Sequence, residues 1–414
     1  MSGKPIIVVG AGIVGVSTAI WLQRAGKRVI LLDKGAPGMG ASFGNAGLLA
    51  QWAIAPVTSP KIWRDIPHYL FSRDSPMFLK WAQSRMLAPW LVKYLSHATD
   101  AKTRRIVDDL AGLIGDAVDQ HKSLTQGTSV QSWIHDSKMV FAYDSPNGFE
   151  KDGYSWALKA QHGFVPEVLA GPEVADFDPM LAGSTGCVAV LSGQGHVTNP
   201  GGYVAALAAY FEAQGGQVIQ AEVLDFTKVN GRISSVATDQ GSFECVAAVI
   251  TSGIWSKDLM AKLGLKVPMV AERGYHVLYK NPSQMPRHPM LMMDAKFGVN
   301  PMEMGLRCAG TVELGDHHAG PSHKPIALIR RNVAQVFPDL TYDDTEEWMG
   351  FRPSTVDSLP LIGELGKSGV FVGFGHQHVG LTGGPKTGRI LAQMVVGQRP
   401  NADVTAFDPK RFGI

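Results

Sequence analysis

Six residues near the start of the chain, Gly10-Ala11-Gly12-Ile13-Val14-Gly15, carry the first chemical signal. In such a run the first glycine allows a tight turn, the second lets backbone approach a pyrophosphate, and the third lets a helix pack closely on a strand. The phosphates then rest on the helix N-terminus, where unpaired N–H groups and the helix dipole favour an anion. Asp33 follows Gly15 by 18 residues, near the ~20 at which an acid accepts hydrogen bonds from an adenosine ribose. A carboxylate there repels a 2′-phosphate, so the expected ligand is FAD or NAD. Other chemistry finds little support. His317 and His318 adjoin Asp316, but neighbouring histidines do not have the spacing of a metal site, so no metal is expected. Cys187, Cys245 and Cys308 are odd in number and far apart, which suggests neither a disulfide framework nor a CxxC centre. No serine or cysteine triad is evident.

Those residues need particular elements to hold them. The unbroken apolar run over 6–9 reads as a strand covered on both faces. Residues 16–25 have helical character with Gly26 as a C-cap, and 28–32 form a second strand ending at Asp33. Further on, 195–200 lead into a helix to Gln214, then Gly215-Gly216 and a strand over 217–223. Residues 247–250 read as a buried strand running into the small-residue turn Thr251-Ser252-Gly253, and strand C-termini are where such sheets bind ligands. Near the end, 370–372 read as a strand, 373–384 as a glycine-rich turn and 387–396 as a helix.

The chain has 414 residues, 45% hydrophobic and 18% charged, enough for more than one core, and two domains are expected. Its net charge of +2 comes without a basic run, so nucleic acid is not expected as a partner. The opening apolar run is too short for a signal peptide, and no window reaches the ~18 apolar residues of a membrane span. With few cysteines, this suits a cytoplasmic protein. Between residues 60 and 95, Trp63, Tyr69, Phe71, Phe78, Trp81 and Trp90 alternate with Lys and Arg. Their expected use is core or interface. The alternative is peripheral contact with a partner or with the inner face of the cytoplasmic membrane. An oligomer is compatible with this composition.

Two stretches choose between FAD and NAD. The run Gly40-Ala41-Ser42-Phe43-Gly44-Asn45-Ala46-Gly47 resembles the second cofactor loop of the D-amino acid oxidase superfamily, most closely that of bacterial D-amino acid dehydrogenases. The segment Trp348-Met349-Gly350-Phe351-Arg352-Pro353, with Asp357, Pro360 and Ile362-Gly363 downstream, looks like the family's G-x-R-P segment. The turn over 373–384 is similar to the one that closes over the flavin ring in that family. One departure stands out: the family commonly shows Gly-His-Gly where this chain has Gly375-His376-Gln377-His378. The resemblance implies an α/β fold, with a Rossmann-like FAD-binding domain and a mixed-sheet substrate domain. Residues 1–58, 180–266 and 342–414 are expected in the first, 59–179 and 267–341 in the second.

Motif and resemblance together imply FAD contacts at Gly10, Gly12, Ile13, Val14 and Gly15, and at Asp33 and Lys34. In the second loop they fall on Ala41, Ser42, Asn45, Ala46, Gly47 and Leu48. Val223 is expected beside the adenine, followed by Thr251, Ser252 and Gly253, and the last turn contributes Gly375, His376, His378, Val379, Gly380, Leu381 and Thr382. Arg352 is implied as the clamp on a substrate carboxylate, which a guanidinium grips through two parallel hydrogen bonds. Tyr275 or His276, in Glu272-Arg273-Gly274-Tyr275-His276, could bond that carboxylate or receive the amine proton. Neighbours on a strand point to opposite faces, so one of the two is expected at the substrate, Tyr275 ahead of His276. Arg307 is expected to be structural, with Glu313 as a candidate partner.

The implied reaction is oxidative deamination of a D-amino or cyclic imino acid. Hydride passes from Cα to flavin N5, and electrons then go to a quinone, an electron-transfer partner or O2. A glycine, sarcosine or N-methyl amino acid oxidase and a D-hydroxyproline dehydrogenase are neighbouring readings. A flavin-binding subunit or sensor without turnover belongs to a different class, and has no need of Arg352.

Overall fold

Apolar runs without alternation end up where both faces of a sheet are covered. In the computed structural model, which describes residues 3–71, 75–79, 84–400 and 402–414, they form the middle of a six-stranded sheet. Its order is Leu361–Glu364, Val370–Phe374, Ala247–Ile250, Ile6–Val9, Val29–Asp33 and Gln217–Gln220. All neighbours are parallel except the first pair. Ile6 and Val8 join one core, and Ile7 and Val9 join the core on the opposite face.

On the first of these faces, helices Ile13–Arg24 and Gly380–Val395 lie against each other. Glycine permits the closeness: a Cβ on Gly384 would stand 2.8 Å from Ile13, and one on Gly388 2.7 Å from Ser17. The C-terminal helix starts at Gly380, seven residues before the expected 387. Gly383, Gly384 and Pro385 disfavour a helix on propensity alone. Proline cannot donate to the carbonyl four residues back, and His121 supplies that hydrogen bond instead, its Nε2 lying 2.9 Å from the Leu381 carbonyl oxygen. The strand expected over 217–223 is two: Gln217–Gln220 extends the parallel sheet, and Val223–Val229 pairs into a small antiparallel sheet with Arg232–Thr238.

A larger mixed sheet faces the first. Its order is Asp344–Thr355, Met269–Lys280, Gly305–Gly315, Phe297–Met302, Met290–Met292, His135–Tyr143, Cys187–His196 and Leu48–Leu49. Helix His323–Val336 packs Ile326, Ile329 and Val333 onto one face of it, against Tyr275, Val277 and Tyr279. Three of its strands, Leu48–Leu49, Cys187–His196 and Asp344–Thr355, fall in segments that the sequence placed in the cofactor domain. Among the aromatics of 60–95, Trp90 is buried and stacks on Tyr94 at 4.5 Å. Trp63 is exposed and donates from Nε1 to the Ala98 carbonyl, and Phe78 is half-buried. Trp81 and the side chains of Tyr69 and Phe71 lie outside the described residues. Among the described residues no helix is long and apolar enough to cross a membrane.

Candidate active site

A cavity of about 770 Å³ lies between the strand ends of the parallel sheet and the face of the larger sheet that the helix leaves uncovered. Its cradle depends on missing side chains. Gly10 has φ +106°, and a Cβ there would meet the Thr251 backbone at 2.8 Å; one on Gly15 would stand 1.8 Å from the Gly10 oxygen. Asp33 ties this loop to the second strand, accepting from Ala11 N at 2.6 Å and Gly35 N at 2.9 Å. Ser42 Oγ accepts from Ile13 N at 3.3 Å, which brings the 40–47 loop onto the helix N-terminus. Thr382 Oγ1 accepts from Ala50 N and donates to the Leu48 carbonyl, fastening that segment to the C-terminal helix.

Gly10, Gly12, Ile13, Val14, Asp33, Lys34, Ala41, Ser42, Asn45, Ala46, Leu48, Val223, Thr251, Ser252 and Gly253 line the cavity. So do Gly375, His376, His378, Gly380, Leu381 and Thr382. Gly15, Gly47 and Val379 do not. The two glycines act by clearance, a Cβ on Gly47 standing 2.0 Å from the Val197 oxygen, and Val379 belongs to the core beside the C-terminal helix. Trp52 and Trp255 also line the cavity, with Lys34 Nζ 4.3 Å from the Trp255 ring. Neither carries a motif that sequence reading could use.

Strand register decides which side chains reach the other end of the cavity. Glu272, Gly274 and His276 pair with Arg352, Gly350 and Trp348, so these six share a face. Arg273 and Tyr275 take the opposite one. There the Tyr275 hydroxyl donates to Glu313 at 2.6 Å and accepts from Ser322 N, while Arg273 Nη1 pairs with Glu313 at 3.1 Å. Register thus puts the His276 side chain, and not that of Tyr275, on the face shared with Arg352. Tyr275 contributes to the cavity lining, but its hydroxyl is committed elsewhere.

Arg352 lies flat over Gly274, where a Cβ would be 2.6 Å from Cζ and Nη2. A glycine inside a strand signals such close approach, and that signal was available in Gly274 and Gly350. Burial pulls the Arg352 pKa down against the opposing effect of Glu272. Burial also pushes the Glu272 carboxyl up, with Arg352 and a hydrogen bond to Ser354 opposing. Asp357 is engaged by Arg411 at 2.7 Å and leaves Arg352 alone. His378, open to the cavity, is lowered to about 4 by desolvation and then by the Arg352 charge.

His276 does not itself line the cavity. Its Nδ1 donates to the Gly44 carbonyl at 3.3 Å, and burial, then the charge of Arg307, lower it to about 3. Arg307 is not paired with Glu313. It shares the cavity-facing side and donates from Nη1 to the carbonyls of Phe43 and Asn45 at 3.0 and 2.5 Å, pinning the second loop. Gln377, where the family's middle glycine would stand, adopts φ +48°, so the backbone keeps a left-handed turn despite the side chain. His376 Nε2 lies 2.9 Å from Thr387 Oγ1. Asp258, His317 and His318 bring ligand atoms within 4.8 Å of one another. Both ring nitrogens of His317 face carboxylates, Asp258 at 2.9 Å and Asp316 at 3.5 Å, which is an ordinary hydrogen-bonding use.

Residues 5–394 match the family described as DAO, FAD dependent oxidoreductase. The chain belongs to that family. It is 36% identical to a D-amino-acid oxidase of Bradyrhizobium diazoefficiens over 99% of each chain. It is 26% identical to a D-amino acid dehydrogenase of Helicobacter pylori over 98% of each. In fold it is similar to glycine oxidase from Geobacillus kaustophilus, with a TM-score of 0.73 and 22% identity over 98% of this chain and 97% of that one. L-proline dehydrogenase from P. horikoshii gives 0.75 and 16% over 99% and 98%.

The cavity of this DAO family member suits FAD on its own geometry. A glycine cradle that any Cβ would fill lies at a helix N-terminus, as a pyrophosphate requires. Asp33, at the end of the second strand, could accept from an adenosine ribose, and Arg352 lines the same cavity. The protein is an FAD-dependent amino acid oxidoreductase.

Proposed function

We propose that the chain oxidises a D-amino acid to its imine, with Arg352 holding the substrate carboxylate. The observation that carries this is the guanidinium seated on Gly274, on the cavity face of the larger sheet. Two parallel hydrogen bonds from a fixed plane define both the place and the rotation of a carboxylate. A lysine at the same site would fix only a point of charge. FAD bound there would supply the acceptor for the hydride from Cα, and the imine released would hydrolyse in water to a 2-oxo acid and ammonia.

The protein's part is orientation and exclusion of water. Arg352 fixes one end of the amino acid. His276 and His378 are uncharged near neutral pH, so neither competes with Arg352 for the carboxylate nor repels the substrate ammonium. Glu272 stands beside Arg352 on the same face, placed to offset its charge before substrate arrives. The names of the 36% and 26% identical relatives support the D configuration. Those names also divide over the electron acceptor: O2 for the oxidase, and a quinone or electron-transfer partner for the dehydrogenase reading.

Anaerobic mixing of the yellow holoprotein with D-, L- and N-methyl amino acids tests the assignment. A small D-amino acid should bleach the flavin absorbance, and reoxidation by air or by a quinone should then separate the two acceptors. Bleaching by L-amino acids alone, or by none of the panel, overturns it.

A further inference from the structure

Trp348 plays no part in gripping the carboxylate, yet it shares the cavity-facing side of the strand with Gly350 and Arg352 and lines the cavity. Its indole lies across two glycines. A Cβ on Gly44 would stand 1.9 Å from its Cζ3, and one on Gly350 1.9 Å from its Cη2. The ring therefore bridges the substrate sheet and the 40–47 loop, and it fits because both neighbours lack side chains. His276 stacks on it at 5.2 Å with the planes 16° apart, and Phe43 lies 6.2 Å away. The Gly44 carbonyl in turn holds His276, and Arg307 holds the carbonyls on either side of Gly44. An indole packed between rings and backbone in this way has no free rotamer to swing into.

The same register gives a length. The Arg352 guanidinium lies over Gly274, and Gly274 pairs with Gly350. The Trp348 indole reaches back over Gly350, so its edge borders the guanidinium from the paired strand, roughly 5 Å away at the usual spacing of cross-strand neighbours. The first side-chain carbons of an amino acid whose carboxylate is held at the guanidinium therefore meet this edge.

We infer that Trp348 is the wall that limits the substrate side chain, selecting D-amino acids with short, unbranched side chains. The inference rests on the function proposed above, in that Arg352 is taken as the carboxylate site. One missing or added methylene against such a wall changes kcat/KM by roughly 10-fold or more.

Flavin reduction by D-alanine, D-leucine and D-phenylalanine, followed anaerobically in the wild type, Trp348→Phe and Trp348→Ala, tests it. The wild type should favour D-alanine. The D-phenylalanine to D-alanine ratio of kcat/KM should rise at least ~10-fold in Trp348→Ala, with Trp348→Phe between. Flavin content read at the visible band shows that each variant is loaded, and Trp348→Phe carries the comparison if Trp348→Ala does not retain FAD. An unchanged ratio in loaded variants overturns the wall. If no D-amino acid reduces the wild type, the functional reading fails instead. The wall is then read from perturbation of the flavin spectrum by carboxylates of rising length, where the smaller residue must gain affinity for the longer ones.

Discussion

Arg352 concentrates the chemistry in one side chain, and its neighbours show how that is arranged. Gly274 leaves the space it lies in, and Arg411 occupies the acid, Asp357, that would otherwise draw it away. Replacing it with lysine keeps the charge and removes the fork, so orientation is lost while attraction remains. Arg352→Lys should keep FAD bound and lower the rate of flavin reduction by roughly 100-fold or more. Stopped-flow mixing with the best D-amino acid measures this, and an undiminished rate removes Arg352 from the site. The sequence made this residue legible through its G-x-R-P motif. The directions of Tyr275 and His276 were not legible, because they follow from pairing with Asp344–Thr355, and a parity of two cannot be fixed from one strand alone. Trp348 stood in the same motif without a role, since its pattern does not separate a pocket wall from a core residue.

At the scale of elements, the strand, turn and helix at each end of the chain were readable because their signals are local: apolar runs, glycines and the spacing to Asp33. What was not readable depends on distant partners. The C-terminal helix gains its first turns from packing on helix Ile13–Arg24 and from His121, which lies 260 residues from the carbonyl it satisfies. The 40–47 loop has only short turn hydrogen bonds of its own, from Phe43 N to Gly40, Asn45 N to Ser42 and Gly47 N to the Asn45 side chain, and Arg307 supplies two more from the other sheet. Burial lowers that guanidinium to about 10, so it stays charged at neutral pH and its hydrogen bonds are charge-assisted. Arg307→Met should leave the carbonyls of Phe43 and Asn45 without these donors, each loss being roughly 1.5–3 kcal/mol for bonds to a charged group. The expected outcome is FAD dissociation faster by ~10-fold or more, followed by fluorescence of released flavin after dilution. FAD retention equal to wild type would mean that the loop holds itself.

For the whole molecule, the resemblance implied a Rossmann-like sheet and a mixed substrate sheet, and the protein has a mostly parallel six-stranded sheet and a larger mixed one. The crossing points were less legible, because Cys187–His196 and Asp344–Thr355 are assigned by their partners and not by their own composition. The assembly closes over several imidazoles, and that has a consequence for pH. His121, His196, His276 and His376 are each at most 4% exposed. Burial, their leading influence, holds three of them to about 4 and His276 to about 3. In the unfolded chain they titrate near 6.5. Between those values the unfolded state binds more protons, so their contribution to stability is complete above about pH 6.5 and is lost as pH falls toward 4. Each then removes roughly 2 kcal/mol between pH 7 and pH 5. Glu272, Asp109 and Asp144 act in the opposite sense, because burial raises their carboxyls and the folded state keeps those protons longer, while His378 and His288, also lowered by burial, add to the imidazole side. Urea unfolding at a fixed excess of FAD should show the midpoint falling steadily from pH 7 to pH 5. His121 offers a check on the cause: it sits between the Tyr203 hydroxyl and the Leu381 carbonyl, both at 2.9 Å. His121→Gln, which can bond to one or both and does not titrate, should be less stable at pH 7 yet show a shallower decline. A midpoint that does not move with pH would mean that the rings reach water or carboxylates in the folded protein, contrary to their burial.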